Sequence, residues 1–313
     1  MTRTIARTLI ATALLMAGLT ACRQPFTPAA DLAQRKIKVT TTVGMITDIV
    51  RNVGGERVEV TGLMGPGVDP HLYKPSASDV NRLDDADIIF YNGLELEGRM
   101  TELFEKMARA GKPTFAVTDD IPREQLLTSD THTDRYDPHV WFDVTLWQIA
   151  AEKVAKELSA LDPGSRALYN RNAQAYLMQL RDLDAYVREQ ITRIPETARV
   201  LITAHDAFGY FGRQYGIEVR GLQGVSTASE AGAADVQALA RFIAERQIKA
   251  IFVESSVPRE AIEAVQAAVR ARGWEVVIGG ELFSDAMGAD GTPQGTYIGM
   301  VRHNVDTIVR ALR

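Results

Sequence analysis

Cysteine occurs once in this chain of 313 residues, at Cys22, so no disulfide can form within it and the fold must be held by packing. Long apolar runs are also missing: residues 9–19 are apolar, but a bilayer-spanning helix needs about 20 such residues. Basic charge is not in excess. With 35 Lys and Arg against 40 Asp and Glu, a formal charge of −5 and a pI near 5.7, the chain has no basic surplus for nucleic acid or anionic lipid, whereas a cationic ligand is compatible. There is no Gly-x-Gly-x-x-Gly and no Gly-x-x-x-x-Gly-Lys-Ser/Thr, so nucleotide binding has no support. Zinc-knuckle spacings and His-Glu-x-x-His are equally absent, and histidine itself is scarce, with five residues.

What is present begins at the N-terminus. Arg3 and Arg7 give a basic start, residues 9–19 an apolar centre and Leu19-Thr20-Ala21-Cys22 a small-residue end, which is a secretory signal pattern. A small-residue stretch closed by a lone cysteine resembles the lipobox of bacterial lipoproteins, whose cysteine is lipidated and becomes the mature N-terminus. Residues 1–21 are therefore read as a lipoprotein signal peptide and Cys22 as the anchor. Residues 22–35, with two prolines, several alanines and no period, read as a flexible tether. The chain is 46% hydrophobic and 24% charged, and its length suggests two domains.

Beyond the tether, β-branched apolar runs alternate with helical patterns. Residues 37–43, 57–63, 88–91 and 114–117 read as strands, and 45–52, 98–110 and a short stretch capped by Ser76 or Ser78 as helices. Residues 118–136 are long, polar and irregular. Residues 144–161 form a helix, and residues 165–193 another with apolar positions 169, 173, 176, 177, 180, 183, 187 and 191, about 44 Å at 1.5 Å per residue. Its place midway along the chain predicts a strut joining two halves. Strands 199–203, 217–220, 250–253 and 275–278 then alternate with helices to the end. Such alternation implies an α/β protein with parallel sheets covered on both faces, whose ligands bind beyond the carboxyl ends of the strands.

Two loops repeat one tripeptide: Asp69-Pro70-His71 and Asp137-Pro138-His139. Proline fixes its own φ and holds the preceding aspartate extended, so each imidazole is delivered from a stiff loop. His205 stands at a strand end among Phe208, Tyr210 and Phe211, and Asp285 follows Ser284 in a loop after a strand. Three neutral imidazoles and one carboxylate suit zinc and accept manganese or iron, but the four residues lie far apart in the chain, so only the fold can assemble them. His132, in a polar loop, and His303, in the last helix, read as ordinary surface or hydrogen-bonding residues. Glu95 and Glu97 read as a solvated pair, Asp285 taken alone as a turn cap, and Gly224-Val-Ser-Thr-Ala228 as a loop lacking the second glycine of a nucleophile elbow.

Six segments carry a family resemblance: Gly62-Leu-Met-Gly-Pro-Gly-Val-Asp-Pro-His-Leu-Tyr73, Phe90-Tyr-Asn-Gly-Leu94, Asp137-Pro-His-Val-Trp-Phe-Asp143, Thr203-Ala-His-Asp-Ala-Phe-Gly-Tyr-Phe211, Gly221-Leu-Gln-Gly-Val-Ser-Thr227 and Gly280-Glu-Leu-Phe-Ser-Asp-Ala-Met-Gly288. Together they resemble the cluster A-I (cluster 9) metal-binding lipoproteins of ABC transporters, most closely the zinc/manganese-binding type, over nearly all of the mature chain. The resemblance implies two (β/α) lobes, residues 36–162 and 196–313, joined by one backbone helix within 163–195, with a metal in the cleft. It implies a non-enzymatic, lipid-anchored, extracytoplasmic monomer that delivers one Zn2+ or Mn2+ to a membrane permease. Carried over position by position, the metal ligands are His71, His139, His205 and Asp285. The manganese branch usually has glutamate where His205 stands, and the dedicated zinc branch a histidine-rich loop between the first two ligands. This chain has neither, which favours zinc with manganese also bound. The competing readings are a manganese-dedicated rather than zinc-capable binding protein, a zinc hydrolase that uses the three histidines with Asp285 or Glu281 as general base, and an adhesin with a structural metal. Four protein ligands argue for holding over catalysis, because catalytic zinc keeps an open position.

Overall fold

The computed structural model describes residues 32–129 and 132–313, without the side chains of 129 and 132–134. The signal peptide, Cys22 and most of the tether lie outside the described residues. The tether's last residues are docked: Leu32 is buried, Arg35 pairs with Asp87 at 2.6 Å, and the carbonyls of Leu32 and Arg35 both accept from Arg57.

The first lobe is one parallel sheet with strand order β2-β1-β3-β4, built from β1 (Ile37–Thr41), β2 (Val58–Gly62), β3 (Ile88–Tyr91) and β4 (Thr114–Ala116). Helices α1 (Gly44–Gly54), α2 (Ala77–Asp85) and α3 (Thr101–Arg109) connect the strands. Ser76 caps α2 as its sequence suggests: its hydroxyl accepts from the Asp79 N–H while the Asp79 carboxylate accepts from the Ser76 N–H at 2.9 Å, which satisfies two orphan donors at once. The segment expected to be irregular contains a short antiparallel hairpin, β5 (Thr128–Ser129) with β6 (His132–Tyr136).

Helix α4 (Val144–Leu161) leads through Pro163 into the long helix α5 (Arg166–Thr192). The second lobe pairs β7 (Val200–His205) with β8 (Glu218–Gln223) and β9 (Ala250–Glu254) with β10 (Val277–Leu282), all parallel, and β7 lies beside β9. Helices α6 (Gly209–Tyr215), α7 (Ala233–Glu245), α8 (Glu260–Arg270) and α9 (Tyr297–Leu312) cover these strands. Among the described residues no helix is long and apolar enough to cross a membrane.

Helix α5 is the strut that its periodicity predicts. Tyr169, Ala173, Tyr176, Leu177, Leu180, Leu183, Val187 and Ile191 are all buried, and its 27 residues run about 40 Å. Its first half is tied to the first lobe, where Tyr176 Oη donates to Asp48 at 2.8 Å and Asn172 to the Val53 carbonyl at 3.1 Å. Its second half packs on α9, where Tyr186 donates to Asp306. One apolar core runs from Ile37 through Leu180 to Leu312, so both lobes and the strut share it, while a smaller core lies under α7 and α8. Leu180→Ala should cost about 2–5 kcal/mol through the cavity it opens. Met178→Ala, at a position 63% exposed, should stay within about 0.5 kcal/mol. Urea unfolding of the two variants measures the difference, and equal midpoint shifts would contradict a buried stripe.

Candidate metal centre

The duplicated Asp-Pro-His tripeptide folds the same way in both loops at the backbone level. The His71 N–H donates to Asp69 Oδ1 at 2.8 Å and the His139 N–H to Asp137 Oδ1 at 2.9 Å, each an aspartate turn that aims the histidine. His71 follows β2 and His139 precedes α4. His205 is the last residue of β7, and Asp285 lies three residues beyond the end of β10. Both lobes thus contribute, and His71, His205 and Asp285 stand at a strand end or in the loop that follows one, where an α/β crevice places ligands.

The four side chains converge. Their donor atoms all lie within 4.8 Å of one another. His139 Nε2 is 3.3 Å from His71 Nε2, 3.4 Å from His205 Nε2 and 3.4 Å from Asp285 Oδ1. Asp285 Oδ2 is 3.5 Å from His71 Nε2 and 3.3 Å from His205 Nε2. A tetrahedron with bonds of about 2.0–2.1 Å, the usual zinc–nitrogen length, has edges of about 3.3–3.4 Å. The separations, some to Oδ1 and others to Oδ2 of Asp285, are in or close to this range, so three imidazole nitrogens and the carboxylate surround a space of the size of one ion. Neither oxygen of buried Asp285 has a hydrogen-bond donor, an arrangement that is costly unless a cation satisfies it.

Two rings are oriented by carboxylates behind them. Asp137 Oδ1 is 2.7 Å from His139 Nδ1, and Glu254 Oε2, at the end of β9, is 2.6 Å from His205 Nδ1 while Oε1 accepts the His205 N–H at 2.9 Å. Such partners fix the tautomer so that Nε2 faces the centre with its lone pair. Gly221 on β8 makes room for this packing, since a Cβ there would sit 2.4 Å from the Asp206 backbone nitrogen. Trp141 walls the site with its ring edge-on to His139 at 5.2 Å. Its indole N–H donates to the Ser284 carbonyl at 3.1 Å, and Tyr297 donates to the Trp141 carbonyl at 2.6 Å, so the residue before Asp285 is pinned across the lobes.

The electrostatics divide the rings. Burial pushes His71 down to about 3, so it is a neutral donor at any ordinary pH. Burial also opposes charge on His139, but Asp137 and Asp285 outweigh it and push that ring up to about 9. Burial is likewise overcome at His205, where Glu254 and Asp285 raise the ring well above its usual range. Asp285 is held well below the carboxylate range: burial favours its neutral form, and the two charged rings overcome that preference.

Outside the cluster, His303 donates its Nε2–H to the Glu281 carbonyl at 3.1 Å, an ordinary hydrogen-bonding role, and Glu281 itself is exposed. The side chain of His132 lies outside the described residues. The solvated reading of Glu95 and Glu97 holds only for Glu95, which pairs with Arg135 at 3.3 Å. Glu97 is buried, accepting from Thr42 Oγ1 at 2.6 Å and from the Asn92 and Gly93 N–H groups, so it braces the loop whose Asn92 amide donates to the Pro138 carbonyl. Sequence reasoning missed Glu254 and the ring-holding role of Asp137. A glutamate closing the apolar strand Ala250–Glu254, and an aspartate two residues before a histidine, were the available signals.

Residues 39–311 match the family described as zinc-uptake complex component A, periplasmic (ZnuA). The chain is 55% identical to the zinc-binding protein TroA of Treponema pallidum over 90% of both chains, and 46% identical to the manganese-binding lipoprotein MntA of Bacillus subtilis over 91% of this chain and 92% of that one. Its fold superposes on the structure of the periplasmic zinc-binding protein TroA from T. pallidum with a TM-score of 0.86, covering 88% of this chain and 99% of the other. A Mn-bound periplasmic metal-binding protein from Candidatus Liberibacter asiaticus, 25% identical, gives 0.78 over 89% and 100%. With the family matched along almost its whole length and two lobes arranged around a single long helix, the chain belongs to the ZnuA family of metal-binding components of uptake transporters.

Proposed function

We propose that this protein is the extracytoplasmic, metal-capturing lipoprotein of an ABC transporter, holding one zinc or manganese ion through His71, His139, His205 and Asp285 and passing it to a membrane permease. Cys22 is its lipid anchor, residues 36–162 and 196–313 are its lobes about the helix within 163–195, and it acts as a monomer. One observation carries the reading: four buried ligating side chains converge within 4.8 Å of one another, with a carboxylate that no other group satisfies. Such a set encloses an ion and leaves no position for an activated water, which suits cargo and not catalysis.

The hydrolase alternative loses its support. Glu281 is exposed, Asp285 belongs to the donor set, and the relatives are named as binding proteins of uptake systems. Those relatives are named for zinc at 55% identity and for manganese at 46%, so the choice of metal rests on the donors. Three imidazoles favour zinc by ligand type, and the single carboxylate keeps the set acceptable to manganese.

Elemental analysis of the purified chain, with competitive zinc and manganese titration of the stripped protein, should find one tightly bound ion. Asp285→Ala should weaken zinc more than the roughly 10–100-fold that loss of an outer-sphere partner costs. A chain without metal, or one indifferent to that change, would return the three histidines to a catalytic role. His205→Glu should move selectivity toward manganese, and an unchanged zinc-to-manganese ratio would remove the ligand-type argument. Because the neighbouring carboxylates push His139 up to about 9 and raise His205 as well, an incoming ion must displace protons from these rings. Zinc binding should therefore release protons, and affinity should climb as pH rises from about 5 toward 9. Calorimetry in buffers of different ionisation enthalpy reads that release, and a buffer-independent heat would contradict it.

A further inference from the structure

Asp285 has no hydrogen-bond partner outside the donor cluster, so its carboxylate is aimed only by the chain on either side of it. That chain is held on both sides. The Phe283 N–H donates to Asn304 Oδ1 at 2.9 Å, and the Phe283 carbonyl accepts from Asn304 Nδ2 at 2.7 Å. The Ser284 hydroxyl pairs with that of Ser256 at 2.8 Å, both residues buried, and the Ala286 carbonyl accepts from Ser255 Oγ at 3.3 Å. Ser255 and Ser256 form the turn after β9, directly beyond Glu254, whose carboxylate takes both the backbone N–H and the Nδ1 of His205. The Ser255 N–H donates to the Leu282 carbonyl at 2.9 Å, which locks the turn to the end of β10. The tripeptide Glu254-Ser255-Ser256 thus serves both donors that the second lobe supplies: His205 directly, and Asp285 through the residues that flank it.

Asp285 is also the one oxygen donor in the set. Imidazole suits zinc and a carboxylate suits manganese, so manganese depends on the aim of this side chain more than zinc, which keeps three nitrogen donors wherever the carboxylate points. As held, both oxygens face the rings, Oδ1 at 3.4 Å from His139 Nε2 and Oδ2 at 3.3 Å from His205 Nε2. We infer that Ser255 and Ser256 are positioning residues that keep the Asp285 carboxylate turned to the ion, and that they thereby set how well the site accepts manganese beside zinc. Neither hydroxyl belongs to the donor set, since each is bonded to a neighbour of Asp285 and acts through it. The inference rests on the metal-capture reading above.

Competitive zinc and manganese titration of the metal-stripped full-length chain tests it. The double variant Ser256→Ala/Ser284→Ala removes both hydroxyls of the buried pair and so leaves no orphaned donor behind, which keeps the metal-free melting temperature close to that of the parent. Manganese affinity should fall roughly 10–100-fold, the usual cost of losing a partner behind a ligand, and zinc affinity by clearly less, so that the zinc-to-manganese ratio rises. Ser255→Ala should act in the same direction. The cobalt-loaded double variant should show an altered visible absorption, because the donors around the ion have moved, a signature that a pair serving stability alone would leave unchanged. In an Asp285→Ala background the double variant should add nothing, since the serines act through that carboxylate. An unchanged zinc-to-manganese ratio, or the same loss with and without Asp285, would overturn the positioning role while leaving the capture reading intact. A parent chain that binds neither metal would overturn both.

Discussion

A buried carboxylate with no partner but the imidazole nitrogens around it is the constraint to which the site answers. Asp285 lies buried among three imidazole nitrogens and has no hydrogen-bond partner outside that cluster, and a fold does not keep such a group unless cationic charge, a metal ion or protonated rings, repays its dehydration. Asp137 and Glu254, behind two of the rings, add further negative charge in a region of low dielectric, which deepens the preference for a dication. The protons that His139 and His205 hold in its absence are the same preference expressed in the only cations otherwise at hand.

Holding four converging donors requires two lobes that do not drift, and the packing near the strut provides this. Near the strut the lobes are joined by a common apolar core, by the Trp141–Ser284 and Tyr297–Trp141 hydrogen bonds, and by a helix whose buried face runs its full length. Close-packed cores of this kind resist continuous deformation. At the opposite side the His71 loop meets the second lobe through far less.

Much of this was legible in the chain. The strut followed from eight apolar positions at helical spacing, all of which are buried, and the parallel sheets from strands that alternate with helices. The repeated Asp-Pro-His singled out two histidines because a proline-stiffened aspartate turn is a local device that needs nothing from the rest of the fold. His205 and Asp285 were recognisable as strand-end residues, but alone each resembled an ordinary polar group. Glu97 was misread for the same reason: two glutamates one residue apart look solvated until the loop turns one of them onto Thr42 and two backbone N–H groups.

What the sequence determined by itself is therefore whatever short-range physics can specify: element type from hydrophobic period, helix caps, stiff loops, and the kinds of donor available. Tertiary structure decided which carboxylate stands behind which ring, because Asp137 and Asp69 share the same Asp-Pro-His tripeptide and backbone turn and yet take different partners. Asp137 finds the ring of its own histidine, and Asp69 finds Thr227, 158 residues away along the chain. No local pattern encodes that difference, since it depends on how two lobes meet across a cleft.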